Sequence, residues 1–139
     1  MKSVEECYRG RNVRVFRLDR EGVIARLRER ARDLLEQRDD VVEVRLFGSL
    51  ARGDAHPGSD ADLFIVLRDG AGPFLARLAP LARMFGGVGV GCDVIAFTES
   101  EARASRVRGD AFSRAVIGEG VILATRQDAG ASSAAPAGR

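Results

Sequence analysis

The sequence has only two cysteines, Cys7 and Cys92, too few and too far apart for a disulfide framework and in no metal-binding or redox spacing. That scarcity fits a reducing compartment. It also lacks any run approaching the roughly 18 apolar residues of a membrane span, and its polar start, MKSVEECYRGR, has no signal-peptide core. A soluble, cytoplasmic protein is expected. There is no isolated basic stripe of the kind that marks a nucleic-acid module. The 22 basic and 20 acidic residues nearly cancel, to +2, and DREGVIARLRERARDLLEQRDD mixes both signs as a solvated helix face does. No internal repeat occurs, and 139 residues give room for one domain with one core.

What is present is an ordinary globular composition, 45% hydrophobic and 30% charged, which points to a single compact α/β or α+β unit. Almost all the basic residues are arginine, a bias that suits bidentate contacts to carboxylate or phosphate and equally fits coding composition. NVRVFRLD alternates as a short leading strand. Over residues 20–38, Val23, Ile24, Leu27, Ala31, Leu34 and Leu35 recur at three- and four-residue spacing, which predicts a helix capped by Asp19. VVEVRLF and DLFIVL read as strands. Pro73 opens a helix carrying Phe74, Leu75, Leu78 and Leu81 that Pro80 should bend or split, and VGVGCDVIAF reads as a third strand with Asp93 at its centre. Thr98 and Glu101 form a capping-box pattern, Asp110 caps a helix bearing Phe112, Val116 and Ile117, and GVILA closes the domain. The small, polar tail QDAGASSAAPAGR is expected to be disordered. The boundaries are residues 1–19 for a leading segment with a short strand, 20–125 for the folded domain, and 126–139 for the tail.

Between the first two strong strands lie a Gly-Ser, an Arg-Gly and three aspartates. On a strand Asp60 and Asp62 project from one face, and two like charges so close raise one pKa or demand a counter-cation. Oxygen-only ligands suit Mg²⁺, which borrows further ligands from substrate phosphates. Gly48 lets the backbone approach a phosphate and Ser49 adds a hydroxyl at the start of a short helix. Asp93, isolated in an apolar strand, needs a partner. If its strand neighbours that of Asp62, it completes three carboxylates, able to hold a second metal or to orient an attacking hydroxyl. A bare Asp-x-Asp is expected about once by chance in a chain with this much aspartate, and Gly-Ser is also an ordinary cap. The weight lies in the combination: strand, Gly-Ser, ten intervening residues, Asp-x-Asp, and a further strand aspartate. Arg52 either contacts phosphate or pairs with a local carboxylate. His56 reads as a loop residue, Asp54 as a turn residue and Cys92 as a core side chain.

LFGSLARGDAHPGSDADLFIVL, together with Asp93 in CDVIAF, resembles the signature of the minimal nucleotidyltransferases of the DNA polymerase beta superfamily. The resemblance covers residues 20–124 and implies an α+β fold in which helices pack on a mixed β-sheet. It further implies two Mg²⁺ held by Asp60, Asp62 and Asp93, with ATP anchored by Gly48 and Ser49. An acceptor hydroxyl would attack the α-phosphorus and release pyrophosphate. The chain leaves no space for the extra acceptor-binding domain of larger relatives. It is therefore similar to antitoxins that transfer AMP to a tyrosine of a HEPN-domain toxin. Competing functions are a nucleotidyltransferase acting on a small molecule, a non-catalytic module that binds its partner by contact alone, and an arginine-rich nucleic-acid binder. The oligomeric state stays open.

Overall fold

The computed structural model describes residues 3–11 and 14–126. Asn12 and Val13 of the expected leading strand, and the tail beyond Arg126, lie outside the described residues. The chain opens with a two-stranded antiparallel ribbon, β1 (Val4–Arg9) and β2 (Arg14–Leu18), with Val4 opposite Leu18. Only its second strand is legible as an alternating pattern. β1 is exposed along almost its whole length, so no apolar period announces it, and its cross-strand pairs include Glu5 and Arg17.

Helix α1 (Arg20–Gln37) starts where the Asp19 carboxylate accepts the Gly22 N–H at 3.1 Å. Its buried stripe is Val23, Leu27, Ala31 and Leu34, and the charges of both signs occupy the remaining faces. The main sheet follows, with β3 (Val41–Phe47), β4 (Ala61–Leu67), β5 (Cys92–Thr98) and β6 (Val121–Thr125) in the order β5-β4-β3-β6. β4 and β5 are parallel while the other pairs are antiparallel, so the sheet is mixed as expected. Parallel neighbours need a crossover, and α3 (Phe74–Ala82) supplies it. Pro80 does not end α3; two residues later the chain tightens into a 3₁₀ turn over Arg83–Phe85.

Beyond Asp62, β4 is apolar without a break because both sheet faces are covered there. Ala61, Leu63, Ile65 and Leu67 point into the larger core with Leu27, Leu34, Leu81 and Phe85. Phe64 and Val66 point the other way, into a cluster with Phe47, Ile95, Phe97, Ala102, Phe112 and Val116. There the ring of Phe64 meets Phe97 edge-on at 5.3 Å and Phe112 at 5.5 Å. Helices α4 (Glu99–Arg108) and α5 (Ala111–Glu119) cover that second face, each with its expected cap at Thr98 and Asp110. Ile117, carried by α5 as expected, is exposed. β5 also starts later than its sequence suggested: Gly87, Gly89 and Gly91 bring no side chains to pack, and pairing begins at Cys92. Among the described residues no helix is long and apolar enough to cross a membrane.

One buried cation ties the crossover to the second layer. Arg77, 8% exposed, donates to the Gly72 carbonyl at 2.8 and 3.0 Å, to the Ala96 carbonyl at 3.0 Å, and to both Glu101 oxygens. Removing it leaves Glu101 and the carbonyl of the exposed Gly72 near water but strands the carbonyl of the buried Ala96. Each buried acceptor without a partner costs about 1–3 kcal/mol. Arg77→Ala should therefore lower the unfolding free energy by about 1–3 kcal/mol in urea titration, with the m-value unchanged.

Candidate active site

The carboxylates sit where β3, β4 and β5 come abreast. Phe47 is opposite Asp62 on one side, and Asp93 is opposite Asp62 on the other. In β4, side-chain alternation puts Asp62 on the face of Phe64 and Val66; in β5 it puts Asp93 on the face of Ile95 and Phe97. The two acids are thus lateral neighbours on the second face, at the end of the sheet that α4 and α5 leave uncovered. Asp60 lies one residue before β4, where the Ala61 N–H donates to the Gly91 carbonyl at 2.8 Å. Its carboxylate is so near Gly91 that a Cβ there would stand 2.7 Å from Oδ1. Asp93 occupies the second position of β5, at the strand's mouth, and is exposed; the later start of β5 moves it there from the centre.

Gly48 closes the other wall. At φ +78° and ψ −159° it adopts a conformation suited to glycine, and a Cβ on it would overlap the Asp62 carboxylate. The chain turns there into the short helix α2 (Ser49–Arg52), anchored by the buried Leu50. Arg20 steadies α2 from outside by donating to the carbonyls of Leu50 at 2.7 Å and Ala51 at 3.0 Å. Ser49 and Arg52 therefore stand on the same turn as Gly48, beside Asp62. Arg52 pairs with Asp54 at 3.2 Å and with Glu119 at 2.9 Å. His56 folds back on its own loop, its backbone N–H donating to Ser59 Oγ at 3.0 Å and its Nδ1 lying 3.0 Å from the Pro57 carbonyl.

Electrostatically the centre of the site is Asp62. Burial pushes its carboxyl pKa up, and the charges of Asp93 and then Asp60 push it further, against an opposing pull from Arg52. Cys92, between them in sequence, is pushed up to about 11, by burial first and then by Asp60 and Asp93, so it stays a neutral thiol. Among the described residues no three His, Cys, Asp or Glu side chains are drawn together tightly enough to hold a metal by themselves. The donor chemistry nonetheless fits a hard cation, since the oxygens of three carboxylates share one under-compensated mouth. Mg²⁺ is characteristically completed by substrate phosphates rather than by an all-protein cage. Apart from the carboxylates, a groove of about 240 Å³ between α4, α5 and the sheet is lined by Arg45, Phe64, Arg103 and Arg106 among others and includes none of the three aspartates.

Sequence spacing did not single out Glu119. It is the last residue of α5, and its Oε1 accepts the Gly48 N–H at 3.0 Å as well as the Arg52 guanidinium. A signal was present: a helix dipole disfavours an acid in the last turn, so one placed there wants a partner elsewhere.

Comparison with known proteins gives a consistent picture. A family model described as the nucleotidyltransferase domain matches residues 25–116. A solved structure described as a "putative minimal nucleotidyltransferase" is 30% identical, with a TM-score of 0.51, over 81% of this chain and 98% of its own. A "putative nucleotidyltransferase" from Sulfolobus solfataricus shares the fold at 21% identity, with a TM-score of 0.57, over 78% of this chain and 85% of its own. A toxin-antitoxin structure with AMP-PNP shares it at 20% identity, with a TM-score of 0.52, over 76% of each chain. No curated protein sequence matches significantly.

The raised Asp62 pKa has a defined consequence for stability. The folded chain holds that proton more tightly than the unfolded chain, so stability is lost as pH rises from the ordinary carboxylate value of about 4 through the higher folded value. In divalent-free buffer, Asp62→Asn should melt a few degrees above the parent at pH 7, and the difference should close below about pH 4. Thermal melts across that range check this; a Tm difference independent of pH would contradict it.

Proposed function

The chain belongs to the nucleotidyltransferase-domain family, and from that premise we propose that it moves AMP from ATP onto a hydroxyl of a partner protein, a tyrosine of a HEPN-domain toxin, and so acts as an antitoxin. The observation that carries this proposal is the lateral pairing of Asp62 with Asp93 beneath a turn that has no side chain at Gly48. The toxin-antitoxin neighbour with AMP-PNP supports an adenine nucleotide and a protein acceptor.

In this mechanism the Gly48 N–H and the Ser49 hydroxyl donate to phosphate oxygens, and the Arg52 guanidinium adds a charge-assisted contact. Asp60, Asp62 and Asp93 would hold Mg²⁺, which when bound neutralises charge on the triphosphate and on the departing pyrophosphate. The raised Asp62 pKa fits such a role, since a cation relieves the repulsion that raises it. Asp93, exposed at the mouth, orients the attacking hydroxyl. The hydroxyl oxygen bonds to the α-phosphorus, the bond from that phosphorus to the bridging oxygen breaks, pyrophosphate leaves, and the hydroxyl proton passes to carboxylate or solvent. Positioning and charge neutralisation account for the rate, and no covalent enzyme intermediate is needed. The residues 20–125 constitute the catalytic domain.

Incubation with α-labelled ATP, Mg²⁺ and the protein that co-purifies with the chain should place label on a tyrosine of that partner. Asp62→Ala should slow labelling by at least about 100-fold, the scale on which a lost electrostatic contributor acts. Absence of label from the partner with the parent chain, or equal labelling by the variant, would sink the proposal.

A further inference from the structure

Glu119 lies beyond the residues that the family model matches, yet it reaches the centre of the site. Its position carries two electrostatic costs. It ends α5, where the helix dipole opposes an acid, and its charge adds to the repulsion on Asp62. What offsets them is a pair of donors converging on a single oxygen, the Gly48 N–H at 3.0 Å and the Arg52 guanidinium at 2.9 Å. The Glu119 side chain is 24% exposed against 45% for Arg52, so the ion pair lies at the surface while the bond from the Gly48 N–H is partly buried.

Those two donors are the ones that the proposed mechanism offers to phosphate. To an N–H group a carboxylate oxygen and a phosphate oxygen are equivalent acceptors, and the same donors cannot serve both at full strength. We propose that Glu119 is a resident competitor for the nucleotide's phosphate: its carboxylate fills the Gly48–Arg52 cradle in the nucleotide-free chain and is displaced when a triphosphate enters. The inference rests on the phosphate role of Gly48 and Arg52 proposed above and adds a determinant of affinity to it.

The surrounding structure fits displacement of a side chain and not of a helix. Gly120, next in sequence, donates to the Val116 carbonyl at 2.9 Å, and a Cβ there would overlap that same carbonyl, so the backbone at the end of α5 is fixed. Glu119 must leave by rotating its own side chain. Arg52 keeps a second anchor in Asp54, at 3.2 Å, when this happens. A residue that merely positioned Arg52 would give the opposite sign: its loss would weaken phosphate binding.

The test is calorimetric binding of ATP with Mg²⁺, and of inorganic tripolyphosphate without metal, to the full chain and to Glu119→Gln and Glu119→Ala. Glu119→Gln keeps the shape and one acceptor while removing the charge. Both variants should bind both ligands more tightly, by about tenfold, which corresponds to ~1.4 kcal/mol. Thermal melts establish that each variant is folded; should Glu119→Ala melt far below the parent, Glu119→Gln decides. If the parent binds ATP and the variant binds equally or more weakly, the competitor role is overturned while the nucleotide site stands. If no form binds either ligand, the nucleotide site and the competitor fall together.

Discussion

Asp62 has to keep a negative charge beside a second carboxylate on the next strand and a third just upstream, in a mouth partly withdrawn from water. Nothing in the fold neutralises that charge completely, since Arg52 opposes it only in part. Much of the surrounding architecture follows from tolerating it. β4 is held in the middle of the sheet and buried on both faces beyond Asp62, so the strand cannot twist aside to relieve the repulsion. The turn at Gly48 has no side chain because a single carbon would push the carboxylate out of place. Stability given up at one position to keep a site charged is common in proteins that act on charged ligands.

The two faces of the sheet divide the labour. One is sealed by α1 and by α3 with its 3₁₀ extension, and it holds the aliphatic core. The other is sealed by an edge-to-face aromatic cluster and two capped helices, the second of which ends at the site with Glu119. A packed platform therefore reaches the edge of the mouth, and the carboxylates on and just before two strands are set beside the Gly48 turn.

Much of this could be read from the residues alone. The α1 stripe, the apolar run of β4 and the caps at Asp19, Thr98 and Asp110 are local patterns with local causes, and they appear where their spacing puts them. The adjacency of β4 and β5, stated as a condition for Asp93 to matter, is met in register. Three features were hidden. β1 is exposed on both sides and so carries no period. The start of β5 depends on where pairing becomes possible among glycines, which moved Asp93 from the strand's centre to its mouth. Glu119 reaches Gly48 across 71 positions, a separation that no local pattern encodes.

The arginine bias finds part of its explanation in carbonyls at the loops and strand ends. Arg77 and Arg126 each span carbonyls from different points along the chain, Arg20 holds the consecutive carbonyls of Leu50 and Ala51, and Arg26 and Arg28 reach the carbonyls of Val88 and Ile122. A guanidinium can bridge two acceptors at fixed angles, which a lysine ammonium on its flexible stem does poorly, and it keeps its proton at any pH a cell meets. These cations act as rivets between loops and strand ends: their N–H donors are committed to mechanical fastening while each guanidinium keeps its charge.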